Sequence, residues 1–248
     1  MTAADPLSDV AARALPLLDL TDLSEGCTAE AVRGLCERAQ RHAAAAVCVW
    51  PRFVAQAAQA LAGSGVRIAT VVNFPEGNED VAGTVAETRT AIENGADEID
   101  LVLPYRTFLR GDADAARAMV ASVREACGEK LLKVILETGM LPDAETVARA
   151  SQLALEAGAD FLKTSTGKTP VSATPEAAEA MLLAIRDRDG ARPVGLKVSG
   201  GLRRVEDAAR YLALADRIMG PDWASPHTFR LGASALLDDL ARAVEAAA

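Results

Sequence analysis

The chain has 248 residues, half of them apolar, with 4% aromatic and 25% charged side chains and a formal net charge of −9. That length suits one large core over residues 1–248 rather than two domains, and an acidic balance with no basic stripe argues against nucleic acid or an anionic membrane surface as a partner. No apolar stretch approaches membrane-spanning length and no basic segment precedes an apolar run at the N-terminus, so a cytoplasmic protein without anchor or secretory signal is expected.

Taken in order, the sequence opens with a helical pattern at 6–15. Short apolar runs then alternate with longer helical patterns. The runs lie at 17–20, 45–50, 68–74, 99–103, 131–136, 161–164, 194–198 and 229–231. They recur at roughly thirty-residue intervals, the size of a strand–helix unit. They are continuous rather than alternating, as expected of strands covered on both faces. Segments 31–43, 81–92, 115–126, 144–157 and 175–185 carry apolar residues at helical spacing. Thr28, Asp143 and Thr174 (the last before Pro175) fit helix starts, and Gly63, Gly95 and Gly158 fit helix ends. Eight such units predict an α/β fold, a TIM (β/α)8 barrel with a short extra N-terminal helix.

One internal repeat bears on chemistry. Asn94-Gly95-Ala96-Asp97-Glu98-Ile99-Asp100 parallels Ala157-Gly158-Ala159-Asp160-Phe161-Leu162-Lys163. Each reads as a helix end, a turn and the opening of a strand. Five residues past each glycine the apolar run is broken by a charge, Asp100 in one copy and Lys163 in the other. Alternate barrel strands fill common interior layers, so this acid and this amine are expected to face each other inside.

Ionic residues interrupt two further strands, Lys133 in the fifth and Lys197 in the seventh. One buried ion in a strand is ordinarily a satisfied structural group, or a lysine snorkelling to water. Four in successive strands are harder to explain by packing. Three amines against one carboxylate leave an excess of positive charge, which disfavours protonation of a nucleophilic lysine. An acid beside it can move protons through a water.

Three loops have the character of oxyanion sites: Thr166-Gly167-Lys168 after the sixth strand, Ser199-Gly200-Gly201 after the seventh, and Gly232-Ala233-Ser234 after the eighth, opening the last helix. Glycine admits backbone N–H groups close to an anion, and a helix N-terminus adds a favourable dipole. Each tripeptide alone could be only a turn; together they point to a phosphorylated ligand. Asp19 and Thr21, at the end of the first strand, read either as polar lining or as a strand-end hydrogen-bonding pair. Cys48 reads as a small buried group or as site lining, and Asn73 and Glu137 as groups that orient the lysines. Arg52, Arg89 and Arg203 read as solvated or paired. His42 and His227 are the only histidines and the four cysteines lack paired spacing, so neither a metal nor a cofactor is expected.

The chain resembles the deoxyribose-phosphate aldolases, a class I aldolase family. The likeness runs through Leu18-Asp19-Leu20-Thr21, Val47-Cys48-Val49-Trp50-Pro51-Arg52-Phe53, Val72-Asn73-Phe74-Pro75, residues 97–106, residues 133–139, residues 161–168, residues 195–201 and Arg230-Leu231-Gly232-Ala233-Ser234. The resemblance implies that Lys163 forms a Schiff base with acetaldehyde or ring-opened sugar phosphate. Lys197 would lower its pKa and assist proton transfer, and Asp100 would exchange protons through a water. It further implies that Asp19, Thr21, Cys48, Lys133 and Thr166 contact substrate. Gly167, Lys168, Gly200, Gly201, Gly232 and Ser234 would hold its phosphate. Ser24, Ala235 and a tail ending in Ala-Ala-Ala depart from patterns seen in the family. Another Schiff-base aldolase on the same fold and a non-catalytic sugar-phosphate binder stay open as alternatives. An apolar barrel of this kind often self-associates, so a homodimer is the expected assembly.

Overall fold

A computed structural model describes residues 6–188, 190 and 192–247. Eight parallel strands close in sequence order into a barrel. They are β1 (Leu18–Asp22), β2 (Ala46–Val49), β3 (Arg67–Val72), β4 (Glu98–Val102), β5 (Leu131–Ile135), β6 (Phe161–Lys163), β7 (Gly195–Ser199) and β8 (Phe229–Ala233). The expected fold is therefore the observed one. Among the strands that run further than expected, two take in loop residues: Ser199 closes β7, and Gly232 and Ala233 belong to β8 instead of following it. The ladder with β1 explains the second, since Asp19 pairs with Gly232 and Leu20 with Ala233.

The outer layer comprises α2 (Ala29–Arg41), α3 (Val54–Ala60), α4 (Val81–Glu93), α6 (Ala113–Cys127), α7 (Ala144–Glu156), α8 (Pro175–Asp187), α9 (Val205–Met219) and α10 (Leu236–Glu245). A short α5 (Tyr105–Leu109) follows β4. The extra helix α1 (Pro6–Ala14) packs on α9 and α10, where Arg13 forks onto both oxygens of Asp216 at 2.5 and 2.6 Å. Thr28, Asp143 and Thr174 cap α2, α7 and α8 as expected, each accepting a backbone N–H of the first turn. No helix among the described residues is long and apolar enough to cross a membrane.

The internal repeat has a structural basis. Gly95 and Gly158 sit at φ 103° and 102°, a region that favours glycine, and each turns the chain out of a helix. The acid two residues on ties that turn to the preceding strand. Asp97 accepts the Ile68 N–H at 3.1 Å, and Asp160 accepts the Leu132 N–H at 2.8 Å. Asp100 and Lys163 thus enter their strands at equivalent heights, three residues beyond equivalent anchors.

On β2 and β3 the inward positions are small, Ala46, Cys48, Ala69 and Val71, all buried. Between β4 and β8 the inward positions are largely ionic, with Phe161 packed under the Arg230 guanidinium. This asymmetry leaves volume for long ionic side chains inside the barrel.

Candidate active site

Seven ionic side chains from six strands meet inside the barrel: Asp19, Glu98, Asp100, Lys133, Lys163, Lys197 and Arg230, each at most 3% exposed. Asp100 lies at the centre. Its Oδ1 accepts from Lys133 at 2.7 Å, and its Oδ2 accepts from both Lys163 and Lys197 at 2.8 Å. Lys133 also reaches Glu98 at 2.6 Å and stands 3.7 Å from Asp19. Lys197 reaches Asp19 at 2.6 Å as an ion pair without hydrogen-bond alignment, which leaves that Oδ2 without a directed donor. Arg230 bridges Asp19 at 2.6 Å and Glu98 at 2.8 Å.

The expectation of three amines facing one carboxylate needs correction, because four cations face three carboxylates. The excess survives, but it is a single charge. Lys133 touches three carboxylates, Lys197 and Arg230 two each, and Lys163 only Asp100, which it shares. Lys163 is therefore the amine whose charge is least supported. Burial depresses its pKa, Asp100 pulls it back up, and neighbouring Lys197 lowers it again; the balance lies below the ordinary lysine value of 10.5. Burial opposes charge on Lys133 and Lys197 too, yet their carboxylates outweigh it and hold both pKa values up. Burial likewise works against ionised Asp100, but the three lysines keep its carboxyl well below the usual range. The charge balance closes when Lys163 gives up its proton.

Lys163 and Lys197 line a cleft of about 450 Å³ at the C-terminal end of the barrel. Thr21, Thr166, Gly167, Lys168, Gly200, Gly201, Gly232 and Ser234 line it as well, together with Ser199 and Arg203. Asp19, Cys48 and Lys133 are fully buried and lie outside its lining; Asp19 and Lys133 support the lysines from within the ion cluster. A β-carbon on Gly232 would come within 2.9 Å of Lys197 Cε and 2.8 Å of Ser199 Cβ, so glycine there leaves room for the second lysine. Beyond Lys163 the chain is stitched to β7: Thr164 Oγ1 accepts the Ser199 N–H at 3.0 Å, and Ser199 Oγ donates to the Ser165 carbonyl at 2.6 Å.

Neither Asn73 nor Glu137 orients a lysine, contrary to expectation. Both have positive φ at strand ends, 55° and 56°. The Asn73 side chain bonds Asn78 and the Val102 carbonyl, fixing the loop after β3. The buried Glu137 carboxylate accepts the Thr166 N–H and the hydroxyls of Thr166 and Thr169, fixing the loop after β6. Lys168 donates to the Leu23 carbonyl at 2.7 Å, tying that loop to the one after β1. Ala235 caps α10 with no side-chain acceptor, so backbone N–H groups at that helix start remain open to an anion in the cleft.

Two cluster members, Glu98 and Arg230, escape the sequence argument, although a signal for each exists. Glu98 stands two residues before Asp100 and so shares its face of the strand. Arg230 interrupts the Phe229–Leu231 run just as the lysines interrupt theirs. Arg203, expected to be solvated or paired, is exposed but borders the cleft.

Comparison with known proteins identifies the family of the barrel. Residues 13–241 match the family described as DeoC/LacD family aldolase. A deoxyribose-phosphate aldolase of Agrobacterium fabrum is 56% identical over 236 residues, covering 94% of this chain and 90% of the relative. A crystal structure from Toxoplasma gondii ME49, whose own deoxyribose-phosphate aldolase assignment is provisional, superposes with a TM-score of 0.89 at 28% identity, covering 97% of this chain and 96% of that one. The deoxyribose phosphate aldolase of Aeropyrum pernix, described as tetrameric, gives 0.77 at 26% identity, covering 95% and 91%. With a match that spans most of the barrel and includes the strands bearing all three lysines, this chain belongs to the DeoC/LacD family of aldolases.

Proposed function

We propose that the chain, acting as one barrel domain, reversibly cleaves 2-deoxy-D-ribose 5-phosphate to acetaldehyde and D-glyceraldehyde 3-phosphate through a Schiff base on Lys163. The neutral Lys163 amine attacks the C1 carbonyl of the open-chain sugar, and loss of water leaves an iminium. The C3 hydroxyl gives up its proton to Asp100 through a water as the C2–C3 bond breaks. The bonding pair flows into the iminium and leaves a neutral enamine, while glyceraldehyde 3-phosphate departs. Protonation of the enamine at C2 and hydrolysis then release acetaldehyde and the free amine.

The charge excess assists this sequence twice. A fourth cation in the cluster is unfavourable, so the free amine is favoured over the ammonium before attack. The iminium restores that fourth charge, and collapse to the uncharged enamine relieves it again. The phosphate is held by the backbone at Gly167, Gly200, Gly201 and Gly232, by Ser234 at the start of α10 and by Lys168. Thr21 and Thr166 border the sugar.

The observation that carries this reading is the single shared carboxylate partner of Lys163, at the floor of a cleft rimmed by glycine loops. Borohydride reduction in the presence of acetaldehyde tests it. A two-carbon adduct is expected on Lys163, and Lys163→Leu should give folded protein with neither adduct nor cleavage. An adduct formed only with dihydroxyacetone phosphate would point instead to an aldolase for a longer ketose. No adduct with either carbonyl would leave a sugar-phosphate binder.

A further inference from the structure

The ion cluster does not end beneath the catalytic lysines. Lys133 passes from Asp100 to Glu98, and Glu98 passes to Arg230 at 2.8 Å. Glu98 and Arg230 also line a separate cleft of about 600 Å³ at the opposite, N-terminal end of the barrel. One continuous chain of buried charge thus links the two mouths.

We propose that Glu98 and Arg230 are positioning residues that set the protonation state of Lys163 from the far end of the barrel. The proposal rests on the Schiff-base reading above. Neither residue touches Lys163. Lys163 is faced by Asp100 from β4, Lys197 from β7 and the Cys48 thiol from β2. Lys133 is faced by Asp100, Glu98, Asp19 and Lys197. At the lower mouth the pair shares its cleft with Arg67, Asp97, Glu129, Lys130 and His227.

The cluster is one positive charge away from balance, so each charged member biases the most weakly supported one. Glu98 occupies part of Lys133, and Arg230 occupies part of Asp19 and Glu98. Removing the negative charge of Glu98 leaves the cluster more positive and disfavours the ammonium of Lys163. Removing the positive charge of Arg230 leaves it in balance with Lys163 protonated, and favours that ammonium. The two substitutions therefore act with opposite sign. A unit charge about 10 Å away, at an effective dielectric near 20, moves a pKa by about one unit.

The test follows the rate of acetaldehyde trapping at Lys163 by borohydride against pH, with circular dichroism as a check on folding. Glu98→Gln should move the acid limb of that profile down by about one pH unit, and Arg230→Gln should move it up by a similar amount. The double variant should return it towards wild type. A purely structural pair would lower the rate in both single variants without opposed shifts, and that result would overturn the proposal. Glu98→Gln decides the matter by itself if Arg230→Gln does not fold. Failure of Glu98→Gln to fold would also overturn the proposal, because the pair would then be a structural requirement. Absence of any adduct on wild-type Lys163 would overturn this proposal together with the Schiff-base reading. A wild-type adduct with an unmoved limb in Glu98→Gln would overturn this proposal alone.

Discussion

Lys163 and Lys197 stand directly opposite each other in the β6–β7 ladder, and both donate to the same oxygen of Asp100 at 2.8 Å. Like charges placed opposite each other across neighbouring strands are destabilising, more so when buried. The arrangement is tolerable because the two amines are unequal. Lys197 has Asp19 as a second carboxylate and Lys163 has none. The ladder thus holds two chemically identical side chains in unequal charge environments, Lys197 well supported as a cation and Lys163 less so.

Lys197→Leu should therefore make Lys163 behave more like an ordinary lysine. Removing a neighbouring cation and leaving Asp100 less shared both favour the ammonium, so the pKa of Lys163 rises. The acid limb of acetaldehyde trapping should move to higher pH, with the plateau at high pH retained. A profile unchanged from wild type would show that Lys197 does not tune its neighbour.

Asp100→Asn separates amine activation from proton transfer. Three lysines lose their common carboxylate, and breaking a buried ion pair of this kind costs about 3–5 kcal/mol of stability. The pKa of Lys163 falls further because Asp100 no longer raises it, so trapping should persist and extend to lower pH. Cleavage, which requires a proton acceptor, should fall by about 10²–10⁴-fold. Single-turnover trapping beside steady-state cleavage distinguishes the two effects, and equal losses in both would argue against a proton-transfer role for Asp100.

Glu137→Ala addresses phosphate grip. The variant removes the acceptor for the Thr166 N–H and for two threonine hydroxyls, freeing the loop that carries Gly167 and Lys168. KM for 2-deoxyribose 5-phosphate should rise about tenfold, the consequence of losing about 1.4 kcal/mol of binding. Trapping with acetaldehyde, which has no phosphate, should stay at the wild-type rate. A parallel loss in trapping would place Glu137 in support of the lysine after all.

The barrel was legible in the sequence because parallel strands covered on both faces leave continuous apolar runs, and because glycine turns and capping residues mark the intervening helices. Asp100 and Lys163 stood out by the same logic, as charges interrupting such runs at matched positions of a repeat. Glu98 did not, because it sits at the first position of β4, where a charge also fits an ordinary exposed strand start. Arg230 lay hidden in a run only three residues long. The role of Glu137 was not legible: its left-handed backbone swings the carboxylate toward the next loop, away from the lysines that sequence proximity suggests. Which carboxylate serves which amine depends on register across six strands, and pairing partners are not written in any one segment.

The most direct measurement is the pH profile of wild-type trapping. Borohydride reduction with acetaldehyde, followed by peptide mass analysis across the pH range, reads the fraction of Lys163 present as free amine. A two-carbon adduct confined to Lys163, with a rate whose half-maximal point falls below the ordinary lysine value of 10.5, is the predicted result. A half-maximal point at or above that value, or an adduct spread over surface lysines, would contradict an uncharged amine at the head of the cluster.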